Sequence, residues 1–369
     1  MTGRVTPSQA HTTPVMDLRC DTLFDDELSR EWDILLAQSS ADSVFLTSAW
    51  LRAWHETFGR YSPLIVPQVR TDGHLIAAAA FLLSNGVIEF AGAGPSDYSD
   101  FVTSRHIDDN LRIRAIDALL VEAKAAAQSF RYFRLGRVQP ESETLKSIAE
   151  PRSKFMWTFV GGATAAPYLD MALVEDRLRK KSLRRHERGL ERSGSLACDT
   201  HVTADAILPQ LDDFFELHVA RWQSSGVESL FLQDHTREFY RRLTSGLDAT
   251  GQLRFTTLRL GGRLIAAHFG FLHSKRFTWY KPTFDPTIAK LSPGEVLIKR
   301  LLELARDEGA AVFDFTIGNE PFKLRFASGV RDVWYLHVTD SLLAAMARRG
   351  RAFIGRHVRA LANCKRSSE

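Results

Sequence analysis

Five side chains between His268 and Lys323 stand out by type and setting as groups that could move a proton or hold an anion. Asp285, in Phe284-Asp285-Pro286, places a carboxylate in a loop, where aspartate also serves as a turn residue. His268 falls inside an apolar run, a setting in which a core histidine is commoner than a catalyst. Asp314 alternates with Phe313 and Phe315, so on a strand it faces a cleft while its neighbours turn inward. Tyr280 carries a phenol that could supply a proton, or is a half-buried strand aromatic. Lys323, in Pro321-Phe322-Lys323-Leu324-Arg325-Phe326, could hold a phosphate or carboxylate, or lie on the solvent face of a short helix. Among them runs Leu291-Ser292-Pro293-Gly294-Glu295-Val296-Leu297, between a predicted strand and an amphipathic helix. A helix start offers unpaired N–H groups and a partial positive charge, which suits a pyrophosphate. Gly294 would admit close backbone approach and Ser292 a hydroxyl donor; the plainer reading is Ser292 as a helix cap.

An internal repeat supplies the elements that position these groups. Gly73-His74-Leu75-Ile76-Ala77-Ala78 returns as Gly262-Arg263-Leu264-Ile265-Ala266-Ala267, each copy after an extended run (63–70 and 253–260). Asp72-Gly73 and Gly261-Gly262 are turn dipeptides that join hairpin strands. Strands at 87–91 and 276–280, helices at 109–128 and 295–308, and strands at 132–136 and 313–318 then follow in the same order. Further helices are predicted at 25–38, at 48–58 with Thr47 or Ser48 as cap, at 177–193 and at 206–223. The fold class is therefore α/β (α+β): two tandem units, each a mixed, mostly antiparallel sheet flanked by helices. The expected organisation is a leader over 1–16, a first domain over 17–165, a second over 166–340 and a basic amphipathic tail over 341–369.

The chain has 369 residues, is 44% hydrophobic and carries a formal charge of +4, enough apolar material for two cores. Its cations crowd into 177–192 and into the tail. Such a run is usually a solvated helix face, and without interleaved aromatics no nucleic-acid contact is expected there. Cys20, Cys198 and Cys364 lie far apart, and the histidines form no ligand-spaced set, so neither a disulfide framework nor a metal site is expected. The polar leader lacks the apolar core of a signal peptide, and the expectation is a cytoplasmic protein. The tail, with Leu342, Met346, Phe353 and Ile354 among arginines, could lie peripherally on the inner face of a membrane or pack on the protein's own body.

Tyr280-Lys281-Pro282-Thr283-Phe284-Asp285, Ser292-Pro293-Gly294, Gly309, Phe313-Asp314-Phe315 and Gly318, with the basic run from Leu183 to Gly194, resemble the BioF2-like acetyltransferases of the GNAT superfamily. That family includes cellulose-biosynthesis acetyltransferases. The tandem arrangement also resembles the Fem-type aminoacyl transferases. The resemblance covers 177–326 and implies two GNAT-like units. It implies acetyl-CoA or another acyl-CoA as co-substrate, held by Ser292, Pro293, Gly294, Glu295, Val296 and Leu297. Of the common GNAT loop Gln/Arg-x-x-Gly-x-Gly/Ala, this chain keeps the central Gly294. Acyl transfer needs a base, an oxyanion donor and an acid for the thiolate. Asp285 leads as base, with His268 and Asp314 as alternatives; Tyr280 is the candidate acid, and Lys323 the candidate anion holder. Asp97, Tyr98 and Asp100, on the first half's corresponding loop, either bind the acceptor or simply form a polar turn, and Arg184 and Arg185 are further candidates for binding it. The implied acceptor is an amine or hydroxyl of a sugar or cell-envelope precursor. An aminoacyl-tRNA donor and a non-catalytic module of a polysaccharide-synthesis complex are the alternatives.

Overall fold

A computed structural model describes residues 15–139, 141–149 and 157–341. The first half runs β1 (Asp17–Asp21), α1 (Asp26–Ala37), α2 (Ser48–Trp54), β2 (Leu64–Thr71), β3 (His74–Ala78), β4 (Phe81–Ser84), β5 (Val87–Phe90), β6 (Val102–Thr103), α3 (Asp109–Ala126), β7 (Tyr132–Val138) and α4 (Thr144–Ala149). The long β8 (Trp157–Asp170) leads into α5 (Val174–Leu178), α6 (Lys181–Glu191), β9 (Leu196–His201), α7 (Ala204–Ile207), α8 (Leu211–Ser224) and α9 (Asp234–Leu247). Then come β10 (Leu253–Leu260), β11 (Arg263–His273), β12 (Arg276–Phe284), α10 (Pro293–Asp307), β13 (Val312–Asp314), α11 (Pro321–Phe326) and β14 (Gly329–Thr339).

The repeat is real in the backbone. The hairpins β2–β3 and β10–β11 turn on Asp72-Gly73 (φ 51° and 80°) and Gly261-Gly262 (φ 56° and 86°). Paired positive φ values give the turn a twist that matches right-twisted strands. β3 and β4 together stand where β11 is one strand, the interruption falling at buried Ala79 and Ala80. Helix starts are set by local polar groups: Asp25 accepts the Leu28 N–H at 2.7 Å, and Thr47 accepts the Trp50 N–H at 3.3 Å.

All strands belong to one large, mostly antiparallel sheet, in the order β6-β3-β2-β4-β5-β7-β14-β8-β13-β12-β11-β10-β9, with β1 on β2. The two parallel pairs are β5–β7 and β12–β13. The halves exchange their last strands. β8 follows the first half yet pairs with β13, while β14 ends the second half yet pairs with β7. The exchanged strands also pair with each other, from Gly329 opposite Tyr168 to Thr339 opposite Trp157. The 165/166 boundary therefore falls inside a strand. α3 covers one face of the first sheet half, and α5, α6 and α10 cover the matching face of the second. On the other face α1 and α2 meet α8 and α9 in a shared aromatic core around Trp50, Phe239, Phe271 and Tyr280.

Several boundaries differ from expectation. The predicted strand 313–318 ends at Asp314, because Thr316 (φ 59°) and Gly318 (φ 123°) turn the chain away. The N–H groups of Phe315 and Gly318 bond instead to the carbonyls of Pro167 and Ala165. The helix expected at 177–193 is two helices, broken at Arg179 and Lys180. α9 was not anticipated, although Phe239, Tyr240, Leu243 and Leu247 form its buried stripe. Cys364, nearly all of the leader and all but Ser341 of the tail lie outside the described residues.

Candidate active site

β12 and β13 run side by side only from Arg276–Thr278 against Val312–Asp314. Beyond that β13 stops and β12 continues to Phe284, so the sheet opens beneath the start of α10. A cavity of about 260 Å³ fills the opening, with Trp279, Phe284 and Phe322 as apolar walls and Arg221 and Arg325 as cations. Ser292, Pro293, Gly294, Glu295 and Leu297 line it, as the helix start requires; Val296 turns into the core at 0% exposure. Ser292 sits in the left-handed region (φ 55°) and makes no side-chain cap bond. A Cβ on Gly294 would stand 3.2 Å from the Phe284 ring, so the missing side chain holds the loop tight against that wall. Pro293 at the first helical position removes one backbone donor. Glu295, in the first turn, pairs with His186 at 3.1 Å and with Arg325. The cavity thus suits a ligand with an anionic end near a helix start and an apolar arm reaching toward the strands.

The candidate bases are all occupied elsewhere. Asp285 caps the turn that follows it, accepting the Thr287 N–H at 2.9 Å and the Thr287 hydroxyl, and it pairs with Arg263. Asp314 is fully buried and holds together the two halves: it accepts the Tyr98 hydroxyl at 2.7 Å, Arg276 at 2.8 Å and the Thr316 N–H at 2.8 Å. His268 stacks between Phe277 and Trp279, and its Nε2 accepts the Tyr280 N–H at 3.1 Å. Burial without a counter-charge lowers its pKa to about 3, so the ring is neutral at physiological pH. None of the three is placed to take a proton from a ligand in the cavity.

Tyr280 also points away from it. Its hydroxyl donates to the Pro95 carbonyl at 2.8 Å, within the shared aromatic core, and burial pushes the phenol well above its ordinary pKa. A bulge explains the direction: two residues of β12, Trp279 and Tyr280, stand opposite the single Gly270 of β11. Trp279 takes the cavity side. Lys323 is buried, donating to the Ile317 carbonyl at 2.7 Å and pairing with Glu320 at 3.1 Å.

Of the acceptor candidates, Tyr98 and Asp100 are 3% and 1% exposed and face inward. Asp100 accepts the Thr144 hydroxyl and the Phe101 N–H, and burial raises its carboxyl to about 7. Asp97 lies beside them at the seam between the halves. Arg184 and Arg185 lie on the exposed face of α6 with Lys181, Arg188 and Arg192 along a groove that no carboxylate lines. Arg221, Phe322, Arg325 and Lys281 were missed as site residues. Arg221 lies over the Phe284 ring and donates to the Pro282 carbonyl, a contact between α8 and β12 with no local signature.

Residues 177–324 match the family model described as an acetyltransferase (GNAT) domain. The second half carries a GNAT-type acetyltransferase domain. Among solved structures, FemX aligns over 85% of this chain and 96% of its own, with TM-score 0.58 at 12% identity. L-PGS from Bacillus licheniformis aligns over 89% and 96%, with TM-score 0.56 at 12% identity. A conserved protein of unknown function from Bacteroides thetaiotaomicron aligns over 88% and 100%, with TM-score 0.53 at 12% identity. These likenesses span both halves and show that the fold as a whole is shared with those structures. No curated protein sequence matches the chain. Among the described residues no side-chain group could hold a metal, and no helix is long and apolar enough to cross a membrane.

Proposed function

We propose that this chain is an acyltransferase that moves an acetyl or other acyl group from acyl-CoA to an amine or hydroxyl of a sugar or cell-envelope precursor, in the manner of the BioF2-like family. The observation that carries this reading is the cavity at the start of α10, which joins the Gly294 loop to the point where β12 and β13 part. Phosphates of the donor would lie toward Arg221 and Arg325 and its acyl arm toward Trp279. The acceptor would arrive through the seam beside Asp97, and an anionic acceptor or lipid surface would settle on the unpaired cations of α6. Thermal unfolding with acetyl-CoA, free CoA and adenosine nucleotides tests the donor. A ligand at about 100 times its Kd adds about 2.7 kcal/mol and raises the midpoint by several degrees. An unchanged midpoint with saturating acetyl-CoA would sink the CoA reading.

One observation favours a second reading, transfer from an aminoacyl-tRNA. Pro293 removes a backbone donor and Glu295 adds a carboxylate where a CoA pyrophosphate would rest. Binding of aminoacyl-tRNA that weakens steeply with salt would support it.

A further inference from the structure

Lys281 is a cation at the seam with no hydrogen-bond or ion-pair partner among the described residues. It lies on β12 immediately before Pro282 and Thr283, which line the donor cavity, and it is half-buried. Its Nζ rests over the Tyr280 ring, 4.2 Å from the centroid, and makes neither a hydrogen bond nor an ion pair with any described residue. The neighbouring cations Arg137 and Lys323 are both engaged. Arg137, held at φ 64°, donates to the carbonyls of Gly94 and Ser96. Lys323 is bonded to Ile317 and Glu320.

The charges that act on Lys281 come from every side of the seam. Asp97 and Arg137 belong to the first half, and Lys323 belongs to α11. His218 on α8 approaches it from the second half and is held neutral by burial. Only Asp97 among these is acidic. Lys281, Arg137 and Lys323 are like charges at this seam, Lys281 alone having no acceptor among the described residues, and an anion would relieve their repulsion. The loop that crosses the seam beside Lys281 is held in place: Trp54 donates to the Ala93 carbonyl at 3.0 Å, Tyr280 to Pro95, Trp50 to the Ser96 hydroxyl at 2.8 Å, and Tyr98 to Asp314.

We propose that the seam is an anion-binding acceptor subsite, in which Lys281, backed by Arg137 and Lys323, anchors a phosphate or carboxylate of the acceptor beside the donor cavity. Calling the ligand an acceptor rests on the acyl-transfer reading; the anion site itself does not. The anchor holds the acceptor so that its amine or hydroxyl faces the acyl group, and Asp97 repels acceptors that place the anion wrongly. Burial holds the Lys281 pKa below its ordinary value and a bound anion would raise it, so binding weakens as pH rises through that pKa.

Site-resolved labelling tests this without any donor. The full chain is treated with dilute acetic anhydride, and the acetylation rate of each lysine is followed by peptide mass spectrometry. Inorganic pyrophosphate and succinate are the two probes. Slowing of Lys281 by several-fold, with surface lysines unaffected, is the expected result, and the more effective probe tells phosphate from carboxylate. Equal rates with both probes, or protection by free CoA alone, would overturn the proposal, the latter because the seam would then belong to the donor. If Lys281 resists acetylation, calorimetric titration of the same probes into wild type and Lys281→Gln decides. Loss of binding in the variant supports the site, and equal affinities overturn it.

Discussion

The two halves open their sheets in the same way and do different things with the opening. β5 and β7 pair in parallel over Val87–Glu89 and Tyr132–Arg134, as β12 and β13 do over Arg276–Thr278 and Val312–Asp314. In the second half a short loop returns at once to α10, whose Ser292 cap makes no side-chain bond, and the helix start lines the cavity. In the first half the helix start is closed: Asp108 accepts the Leu111 N–H at 2.8 Å, with Asp109 beside it. The long first-half loop crosses instead to the other half, through Tyr98 to Asp314 and Tyr280 to Pro95. The first-half opening keeps a pocket of about 210 Å³, lined by Glu89, Arg134, Arg137 and Tyr335, but no residue of α3 reaches it. A repeated fold unit therefore becomes a donor site or a wall according to how its helix start is capped and where its loop goes.

The sharpest way to break this contrast is at the bolt between the halves. Asp314→Ala leaves buried Arg276 and the Tyr98 hydroxyl without their carboxylate, and should cost about 3–5 kcal/mol in urea unfolding. A loss near that of an ordinary surface change would show that the bridge does not hold the halves. Next in size is a pH effect that belongs to the first half's loop alone. Asp100 has a folded pKa of about 7 against an ordinary 3.8. The folded state therefore holds the proton more tightly, and stability should be full below about pH 4 and fall as pH rises to about 7. Asp100→Asn should flatten that slope, and a slope that survives the change would assign it elsewhere. In the second half, Gly294→Val crowds the Phe284 wall and should weaken acetyl-CoA binding by about tenfold or more, roughly 1.4 kcal/mol, by calorimetry. Arg134→Ala, at the first-half opening, should leave that affinity alone; equal losses would erase the distinction. Smallest is Asp108→Ala, which removes the α3 cap and should cost about 1 kcal/mol of thermal stability without touching donor binding.

Much of the fold was legible because it rests on local signals. Turn dipeptides, capping residues and the LIAA repeat gave both hairpins and the order of elements, and the start of α10, singled out by its Ser-Pro-Gly sequence, lines a cavity. The catalytic candidates were not legible, because residue type does not reveal a distant partner. Asp314 has its phenol donor 216 positions away in sequence, and Asp285 is matched to Arg263 across a hairpin. Lys281 was quoted as part of a motif, but its isolation depends on Asp97, Arg137 and Lys323 meeting it in space. The exchange of β8 and β14 left no trace either, since a strand's sequence specifies its two faces and not the edge it will join.

That exchange sets a timetable for synthesis. When the first half has left the ribosome, the edge of β7 that β14 will cover is still bare, and the strand that follows, β8, is destined for the far side of β14. At roughly 5–20 residues per second, β14 arrives on the order of ten to forty seconds later. For that interval an unpaired strand edge stands open to neighbouring chains. Of all the strands in the first half, β7 is the one whose final partner is made last, and pairing between nascent chains would begin there.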